Sequence, residues 1–275
     1  MNKKKISLLI LLVLSIVGVF SFRNHLRLLI LKKFPVQQSA LMLYKSIDET
    51  YFKLDLYTCT RNFNNRWVRL YNSLYSDEIA VFQIPLDKYA FNNLVMEPIG
   101  KDEIASEASL YFNTMFFDPN FIATKGIIDD RHLVNQKNPI KKRIGIDKNG
   151  RLTSFSGNQN AGYNDVLQAP FTFSPKSKVN ANFRTLNYRQ FISIKGNQMI
   201  FITGFNNSLI SWVDVKALMP QLGLTSIIAL DGGASVEYSF VGKKNEYYFS
   251  SIPLRHLWFG KNSPYYLEGK QINNK

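Results

Sequence analysis

Apolar and polar residues follow a strand-like pattern along most of the chain, which predicts a protein built mainly of β-strands. The segments with this pattern are 51–57, 66–71, 78–83, 110–117, 143–146, 152–155, 190–194 and 198–203. Asn149-Gly150 and the turn at Gly196 each separate two such segments, which is typical of β-hairpins. The segment 156–184 between them is rich in Asn, Ser, Pro and Lys and is expected to form a long surface loop.

One helix is predicted from a capping signal and an apolar face. Ser211 followed by Asp214 resembles a capping box, and an acidic residue is favourable in the first turn of a helix. Apolar residues recur from Val215 at i, i+3, i+4 and i+7, which gives one continuous apolar face. Gly223 is a typical stop, and Pro220 conflicts with a regular last turn, so the helix is expected to kink or end early.

A short apolar run ending in Asp-Gly-Gly follows this helix. Residues 227–230 predict a buried strand, and Asp231 at its end would be rigidly supported yet open to solvent. Gly232 and Gly233 allow left-handed backbone angles or the close approach of a ligand. Residues 236–240 alternate as a second strand, so an ordinary hairpin turning at Asp231-Gly232 is an equally open interpretation.

Composition indicates a folded, basic protein. The 275 residues are 45% hydrophobic and 14% aromatic, enough for one sizeable core. A formal charge of +14 suits an anionic partner such as a phosphate-bearing polymer or anionic lipid. Zinc-finger spacing, heptads and a lysine-rich recognition helix are all missing from the sequence, so nucleic acid is not expected as a partner. Cys59 is the single cysteine, so no intrachain disulfide is possible and the redox compartment stays open.

The N-terminus predicts export. A lysine cluster at residues 3–5 precedes the apolar run 6–22, which suits a signal-anchor or signal peptide. Bulky residues at its end favour a retained signal-anchor over a cleaved peptide. The expected organisation is a membrane segment at 1–22, a basic juxtamembrane segment at 23–50 and a folded domain at 51–275, placed outside the cytoplasm and secreted if the segment is cleaved. Residues 26–34 are expected to lie on the membrane surface or to form an ordinary first helix.

Four short motifs occur in order between residues 55 and 259. They are Tyr111-Phe-Asn113-Thr-Met-Phe-Phe117-Asp118, Leu167-Gln168-Ala169-Pro170, Arg184-Thr185 with the hairpin after it, and Leu222-Gly223-Leu224 leading to Ile227-Ile-Ala-Leu-Asp231-Gly-Gly-Ala-Ser235. In this order they resemble the signature of the phosphodiester glycosidase family. Its usual last motif is Leu-Asp-Gly-Gly-Gly-Ser, and Ala234 stands here in place of the third glycine.

Pattern and resemblance together predict an α+β fold. We expect a single domain with a twisted, largely antiparallel or mixed β-sheet core packed by a few helices, preceded by the N-terminal membrane segment. The resemblance implies Asp231 and Asn113 as catalytic residues. It implies a substrate-binding set of Arg184, Gly232, Gly233, Ser235 and Gln168. No metal and no cofactor is expected.

The resemblance implies hydrolysis of a sugar-1-phosphate diester. The candidate substrate is a cell-envelope glycoconjugate. Ordinary glycosidases use two carboxylates, one of which protonates a poor leaving group, whereas a phosphodiester leaves readily. One carboxylate, Asp231, acting as base or nucleophile is then sufficient, with Arg184 binding the phosphate or else serving as a surface charge. Asn113 either hydrogen-bonds the sugar or the carboxylate, or caps a strand end. Glu237 is expected on a solvated face, and the alternative is a role as a second acid.

Departures from the family pattern favour a second hypothesis. Thr114, Met115, Ala169 and Ala234 stand where the family carries smaller or different residues. Each substitution is expected to narrow the pocket or change the substrate. The alternative is therefore a non-catalytic module of the same fold that binds an anionic, phosphate-containing envelope polymer.

Overall fold

Antiparallel strands make up most of the structure, a computed structural model that describes residues 26–95, 110–114, 127–129, 132–133, 143–155, 162–168, 171–230, 232–233, 236–243, 245–251 and 265–272. The strands are β1 Val36–Asp48, β2 Lys53–Phe63, β3 Asp77–Pro85, β4 Tyr89–Val95, β5 Leu110–Asn113, β6 Ile127–Asp129, β7 His132–Leu133, β8 Arg143–Asp147, β9 Leu152–Phe155, β10 Tyr163–Gln168, β11 Phe171–Phe173, β12 Gln190–Lys195, β13 Gln198–Phe205, β14 Ile227–Ala229, β15 Glu237–Val241, β16 Glu246–Ser250 and β17 Tyr265–Gln271. The helices are α1 at 26–31, α2 Arg66–Ser73, α3 Ala181–Arg184 and α4 Trp212–Leu218, with a 3₁₀ turn at Leu86–Lys88.

Three sheets are formed by these strands. The central sheet has seven strands in the order β1-β2-β3-β13-β12-β14-β11, the outer sheet has five in the order β16-β15-β5-β17-β4, and the side sheet has five in the order β7-β6-β10-β8-β9. The predicted sheet-rich α+β domain with few helices is confirmed. Both predicted hairpins are also confirmed, as β8 with β9 and β12 with β13.

The main core lies between the central and outer sheets. Because side chains alternate across a strand, each sheet turns one row of large apolar residues toward the other. The ring of Phe82 in β3 stacks on Phe240 in β15 at 4.1 Å between centroids. Phe201 in β13 contacts Phe112 in β5 at 4.7 Å. This packing holds the strand ends of the two sheets side by side.

The opposite face of the central sheet is covered by α3 and α4. Trp212 in α4 is almost fully buried and lies 4.6 Å from the Phe173 ring of β11. The predicted capping box is present at Ser211, and the helix ends at Leu218 before Pro220. The helix thus ends early, because proline would clash with the preceding turn.

Residues 66–71, expected as a strand, form helix α2 instead. The side chain of Asn65 accepts hydrogen bonds from the backbone N–H groups of Trp67 and Val68 and so caps the helix. Val68 and Asn72, four residues apart, form its buried side. A helical period therefore fits the buried positions better than a period of two.

The segment 156–184, expected as a long surface loop, contains regular structure. Strand β10 pairs with β8, and β11 pairs with β14 in the central sheet. The one-turn helix α3 follows, capped by Asn180. Backbone pairing to distant strands therefore overrides the polar composition of the segment.

Residues 1–25, which contain the predicted membrane segment, lie outside the described residues. Within the part of the chain that the structure describes, no helix is long and apolar enough to cross a membrane. Residues 26–48 belong to the folded domain, because Leu31 of α1 is buried in the main core and β1 pairs with β2 from Val36 to Asp48. The boundary expected at residue 51 thus falls between two paired strands.

Candidate functional site

The chain crosses from the central sheet to the outer sheet at the Asp-Gly-Gly segment. Strand β14 lies between β12 and β11, whereas β15 lies between β16 and β5. Asp231-Gly232 therefore does not join two paired strands, and the hairpin interpretation is wrong. Asp231 itself lies outside the described residues, as do Ala234 and Ser235.

The backbone on both sides of Asp231 is fastened to residues 188–190. Leu230 N–H donates to the Gln190 carbonyl at 2.9 Å, and Gly233 N–H donates to the Tyr188 carbonyl at 2.8 Å. Gly233 has φ 74°, a left-handed conformation that glycine adopts without strain. A Cβ atom on Gly232 would lie 3.0 Å from the Tyr188 oxygen. Both glycines are thus required by the local geometry.

Asn113 joins the strand ends around this turn. Its side chain is fully buried at the end of β5, and its Oδ1 accepts from Glu237 N–H at 2.8 Å and from Gln190 Nε2 at 2.8 Å. Gln190 Nε2 also donates to the Glu237 carbonyl at 3.2 Å. The Gln190 carbonyl accepts from Leu230 N–H, so the Gln190 side chain connects Asn113 to the segment that leads into Asp231.

Two buried amide atoms at this junction lack a hydrogen-bond partner among the described residues. They are Asn113 Nδ2, a donor, and Gln190 Oε1, an acceptor. Buried polar atoms in native proteins are nearly always paired, so both atoms are available to a residue or a ligand outside the described structure. Asn113 Oδ1 caps the start of β15, which is the alternative role expected for this residue, and its role as a donor to substrate or carboxylate stays a prediction.

Glu237 was expected on a solvated face and is instead buried, with 3% of its surface exposed. Its carboxylate accepts from the Tyr266 hydroxyl at 2.9 Å and from the Tyr248 hydroxyl at 3.2 Å. Burial raises the pKa of Tyr111, and the nearby Glu237 charge raises it further. The expectation failed because it assumed that the outer face of β15 is open to water.

Arg189 lies beside the turn and was not identified from the sequence. Its Cγ is 3.8 Å from the position that a Cβ on Gly232 would take. Nη2 donates to the Asn182 carbonyl at 2.5 Å, and the guanidinium lies 5.0 Å from the Phe183 ring centre. Burial lowers the pKa of Arg189 to about 10. Arg189 Nε is buried without a hydrogen-bond partner in the described structure. The guanidinium is therefore a cation next to the turn that can donate a further hydrogen bond.

Arg184 lies elsewhere, on a groove beside β1. Its Nη2 donates to Gln37 Oε1 at 2.9 Å and to the Val36 carbonyl at 3.4 Å. The groove has a volume of about 1210 Å³. Its cationic side chains, apart from the buried Arg61, are Arg69, Lys178, Arg184 and Lys216, and its lining contains no acidic side chain. The structure shows no hydrogen bond between Arg184 and the described residues of the junction.

Gln168 ends β10 and pairs with Arg143 in the side sheet. Phe171, three residues later, pairs with Ala229 at the end of β14. Within the described ranges, no group of three His, Cys, Asp or Glu side chains is arranged to hold a metal ion.

The sequence carried weak signals for the residues that it did not identify. Arg189 directly precedes β12, Gln190 is the first residue of β12, and β12 pairs with β14, the strand that leads toward Asp231. An arginine at the start of a strand next to a candidate site is a reasonable phosphate ligand. That neighbour relation depends on strand order, which local pattern does not provide.

Comparison with known proteins identifies a matching family. Residues 106–258, more than half of the chain, match the sequence model of a family described as phosphodiester glycosidase. The matched range contains the whole junction from Asn113 to Glu237. A search of curated proteins found no match.

Solved structures with a similar fold include one enzyme domain. The zebrafish N-acetylglucosamine-1-phosphodiester alpha-N-acetylglucosaminidase catalytic domain, auto-inhibited by its pro-peptide, has a TM-score of 0.50 at 11% identity, covering 86% of this chain and 89% of that one. A hypothetical protein from Synechocystis has a TM-score of 0.48 at 10% identity, covering 87% and 68%. A Burkholderia pseudomallei protein described as exported has a TM-score of 0.41 at 11% identity, covering 71% and 74%. The zebrafish similarity shows a shared fold.

Proposed function

Because this chain belongs to the phosphodiester glycosidase family, we propose that it is a hydrolase that cleaves sugar-1-phosphate diesters. The observation that carries the proposal is the junction itself. The Asp-Gly-Gly crossover lies beside a buried amide donor on Asn113 and an arginine, Arg189, with no carboxylate partner among the described residues. The zebrafish neighbour, by its name, acts on an N-acetylglucosamine-1-phosphodiester. A sugar of that class is the first substrate to test.

The reaction breaks the bond between C1 of the sugar and the bridging oxygen. Water supplies a hydroxyl group to C1 and a proton to the products, which are the free sugar and a phosphomonoester of the aglycone. The leaving phosphate is a weak base, so no strong general acid is needed. Asp231 acts as the base that activates water or as the nucleophile that water later displaces.

Asn113 Nδ2 donates to the sugar or to the Asp231 carboxylate and so holds the reacting groups in line. This role is supported by its burial and by the two hydrogen bonds that fix its oxygen. A donor fixed in this way loses little freedom in the reaction, which is the advantage of preorganisation. Gly232, Gly233 and Ser235 shape the turn around the substrate, and Gln168, at the end of β10, is a further substrate-binding residue of the proposal.

Arg189 binds the phosphate at the turn, and Arg184 binds the remainder of an anionic substrate in the groove. A guanidinium group matches the oxygens of phosphate and pairs with them through two hydrogen bonds. The two residues are connected through α3, because Arg189 Nη2 donates to Asn182 and Arg184 ends the same helix. A substrate with further phosphates beyond the scissile one would use both.

The active chain is placed outside the cytoplasm, held by its N-terminal segment. The lysine cluster at 3–5 and the apolar run 6–22 support this placement. A phosphate-bearing glycan of the cell envelope would be accessible there. Protease treatment of intact cells tests the placement, because it should remove residues beyond 50, and protection of those residues would contradict it.

The hydrolase proposal is tested by replacing Asp231 with Asn. Loss of the carboxylate should lower kcat for an N-acetylglucosamine-1-phosphate methyl diester by at least about 10²-fold, as loss of a catalytic base does. Asp87→Asn, at an exposed position on the 3₁₀ turn, is the matched control and should keep full activity. Release of free sugar is the measurement. Activity that survives Asp231→Asn would remove this residue from the mechanism.

A further inference from the structure

Helix α2 exposes a stripe of large apolar side chains. Trp67 is 77% exposed, Leu70 59% and Leu74, at the helix end, 67%. Their spacing of i, i+3 and i+7 places them on one side of the helix. The opposite side, with Val68 and Asn72, packs into the domain. The helix therefore fills its place in the core and still presents a second apolar face outward.

Helix α1, which contacts α2 and the residues after it through Arg27, carries two further exposed leucines. Leu26 is 57% exposed and Leu29 53%. Arg27 joins the two helices, because its Nη2 donates to Asn72 Oδ1 at 3.0 Å and its guanidinium lies 4.3 Å from the centre of the Tyr75 ring. Exposed apolar residues on adjoining helices are typical of an interaction surface, whereas isolated ones need no explanation.

Exposed cations accompany these apolar residues. Lys32 and Lys33 follow α1 directly, and Arg66 lies on α2. Within the described structure none of these side chains forms an ion pair. Tryptophan and leucine next to lysine and arginine is the composition of helices that lie in a membrane interface, where the cations meet anionic headgroups.

The position of this surface along the chain also indicates a lipid partner. The apolar run 6–22 ends four residues before α1 begins. Four extended residues span at most about 14 Å. A membrane-held N-terminal run would therefore keep α1 and α2 within reach of the headgroup region, without any long linker.

The geometry points to a membrane-docking surface formed by α1 and α2, with an anionic lipid bilayer as its partner. Trp67, Leu70 and Leu74 of α2, with Leu26 and Leu29 of α1, insert among the headgroups, and Lys32, Lys33 and Arg66 pair with lipid phosphates. The proposal rests on the N-terminal tether and is independent of hydrolase activity. Its consequence is that the folded domain is held in one orientation on the bilayer.

Quenching of tryptophan by brominated lipid tests this proposal on the full chain. The chain is reconstituted with vesicles of phosphatidylcholine and phosphatidylglycerol carrying bromine near the headgroup. The chain has three tryptophans, so Trp258→Phe is made first as the background for every variant. In that background Trp67 should be quenched, while Trp212 is buried and shielded. Trp67→Phe should therefore remove most of the quenching, with the far-ultraviolet spectrum unchanged. Equal quenching in both proteins would overturn the proposal, and so would failure of the native chain to float with the vesicles.

Two charge variants test whether lipid binding depends on this surface or occurs anywhere on the basic protein. The double variant Leu70→Glu with Leu74→Glu should abolish the quenching of Trp67 although the tryptophan is still present. Ile272→Glu, at an exposed apolar position on the C-terminal side of β17, is the control and should leave it unchanged. Quenching that persists in the double variant, or that is equal in pure phosphatidylcholine, would contradict the proposal. Concentration-dependent dimerisation without lipid contact at Trp67 would assign this face to a second copy instead.

Discussion

A buried chain of alternating charges links α1, β2, β3 and α4 at the scale of single residues. Arg27 and Arg61 both donate to Asp77, and Arg61 Nε also lies 2.9 Å from Asp214 Oδ1. The four side chains are almost fully buried, and two charges of each sign balance. Burial would raise the pKa of Asp77, but Arg61 and Arg27 outweigh it and hold this pKa below its usual value.

Asp77→Asn should destabilise the fold strongly. The substitution leaves two buried guanidinium groups short of negative charge, so the free energy of unfolding should fall by about 3–5 kcal/mol in urea titrations. Lys53→Ala is the control, because Lys53 is a half-exposed partner of Asp55 at 3.1 Å and should cost less than about 1 kcal/mol. Equal losses of unfolding free energy in the two variants would show that the buried charges stabilise the fold no more than an exposed ion pair does.

The same carboxyl group gives a pH dependence with a definite sign. Because the Asp77 pKa is lowered by folding, the unfolded chain takes up the proton first as the pH falls. The stabilisation is complete above the unfolded pKa of about 4 and is lost as the pH falls through the lower, folded pKa. Asp77→Asn should therefore flatten the acid side of the stability curve. An unchanged curve in that variant would contradict this account.

Arg189 and Arg184 should differ in the substrates that they affect. If Arg189 binds the scissile phosphate as proposed, Arg189→Gln costs a charged hydrogen bond of about 1.5–3 kcal/mol, so kcat/KM for a methyl diester should fall roughly 10- to 100-fold. Arg184→Gln is the matched control and should leave that small substrate unaffected, while weakening turnover of a polymer that carries several phosphates. Equal effects of both variants on the methyl diester would contradict the separate roles.

At the scale of elements, the correct predictions concern features that a few neighbouring residues determine. The turn at Asn149-Gly150 and the capping box at Ser211 were identified because a few adjacent residues determine each of them. Helix α2 was missed because its mixed apolar pattern fits two periods, and only packing shows that Val68 and Asn72 face inward. Strands β10 and β11 were missed because their order depends on pairing with β8 and β14.

The capping box of α4 gives the prediction at this scale. Ser211 Oγ accepts from Asp214 N–H, and Ser211 N–H donates to Asp214 Oδ2 at 2.7 Å. Ser211→Ala should lower the free energy of unfolding by about 1–2 kcal/mol, the usual cost of losing such a cap. Ser73→Ala, at the exposed end of α2, should change it by less than about 0.5 kcal/mol. Thermal or urea unfolding gives both values, and a neutral Ser211→Ala would contradict the account of the cap.

At the scale of the whole molecule, the candidate site lies where strands from two sheets end together. Asn113 and the Asp-Gly-Gly segment could be proposed from the order of motifs along the chain. Arg189, Gln190 and the burial of Glu237 could not, because each depends on which strands become neighbours. The crossing between sheets after β14 also has no local signature, since the same Asp-Gly-Gly sequence would suit a hairpin turn.

Hydrolysis in ¹⁸O-labelled water tests the central claim most directly. The native chain is given an N-acetylglucosamine-1-phosphate methyl diester, and the methyl phosphate product is analysed by ³¹P NMR. Cleavage between C1 and oxygen predicts methyl phosphate without ¹⁸O, formed by the native chain and not by Asp231→Asn. Methyl phosphate carrying one ¹⁸O, or its formation at an undiminished rate by the variant, would contradict glycosidic cleavage at this junction.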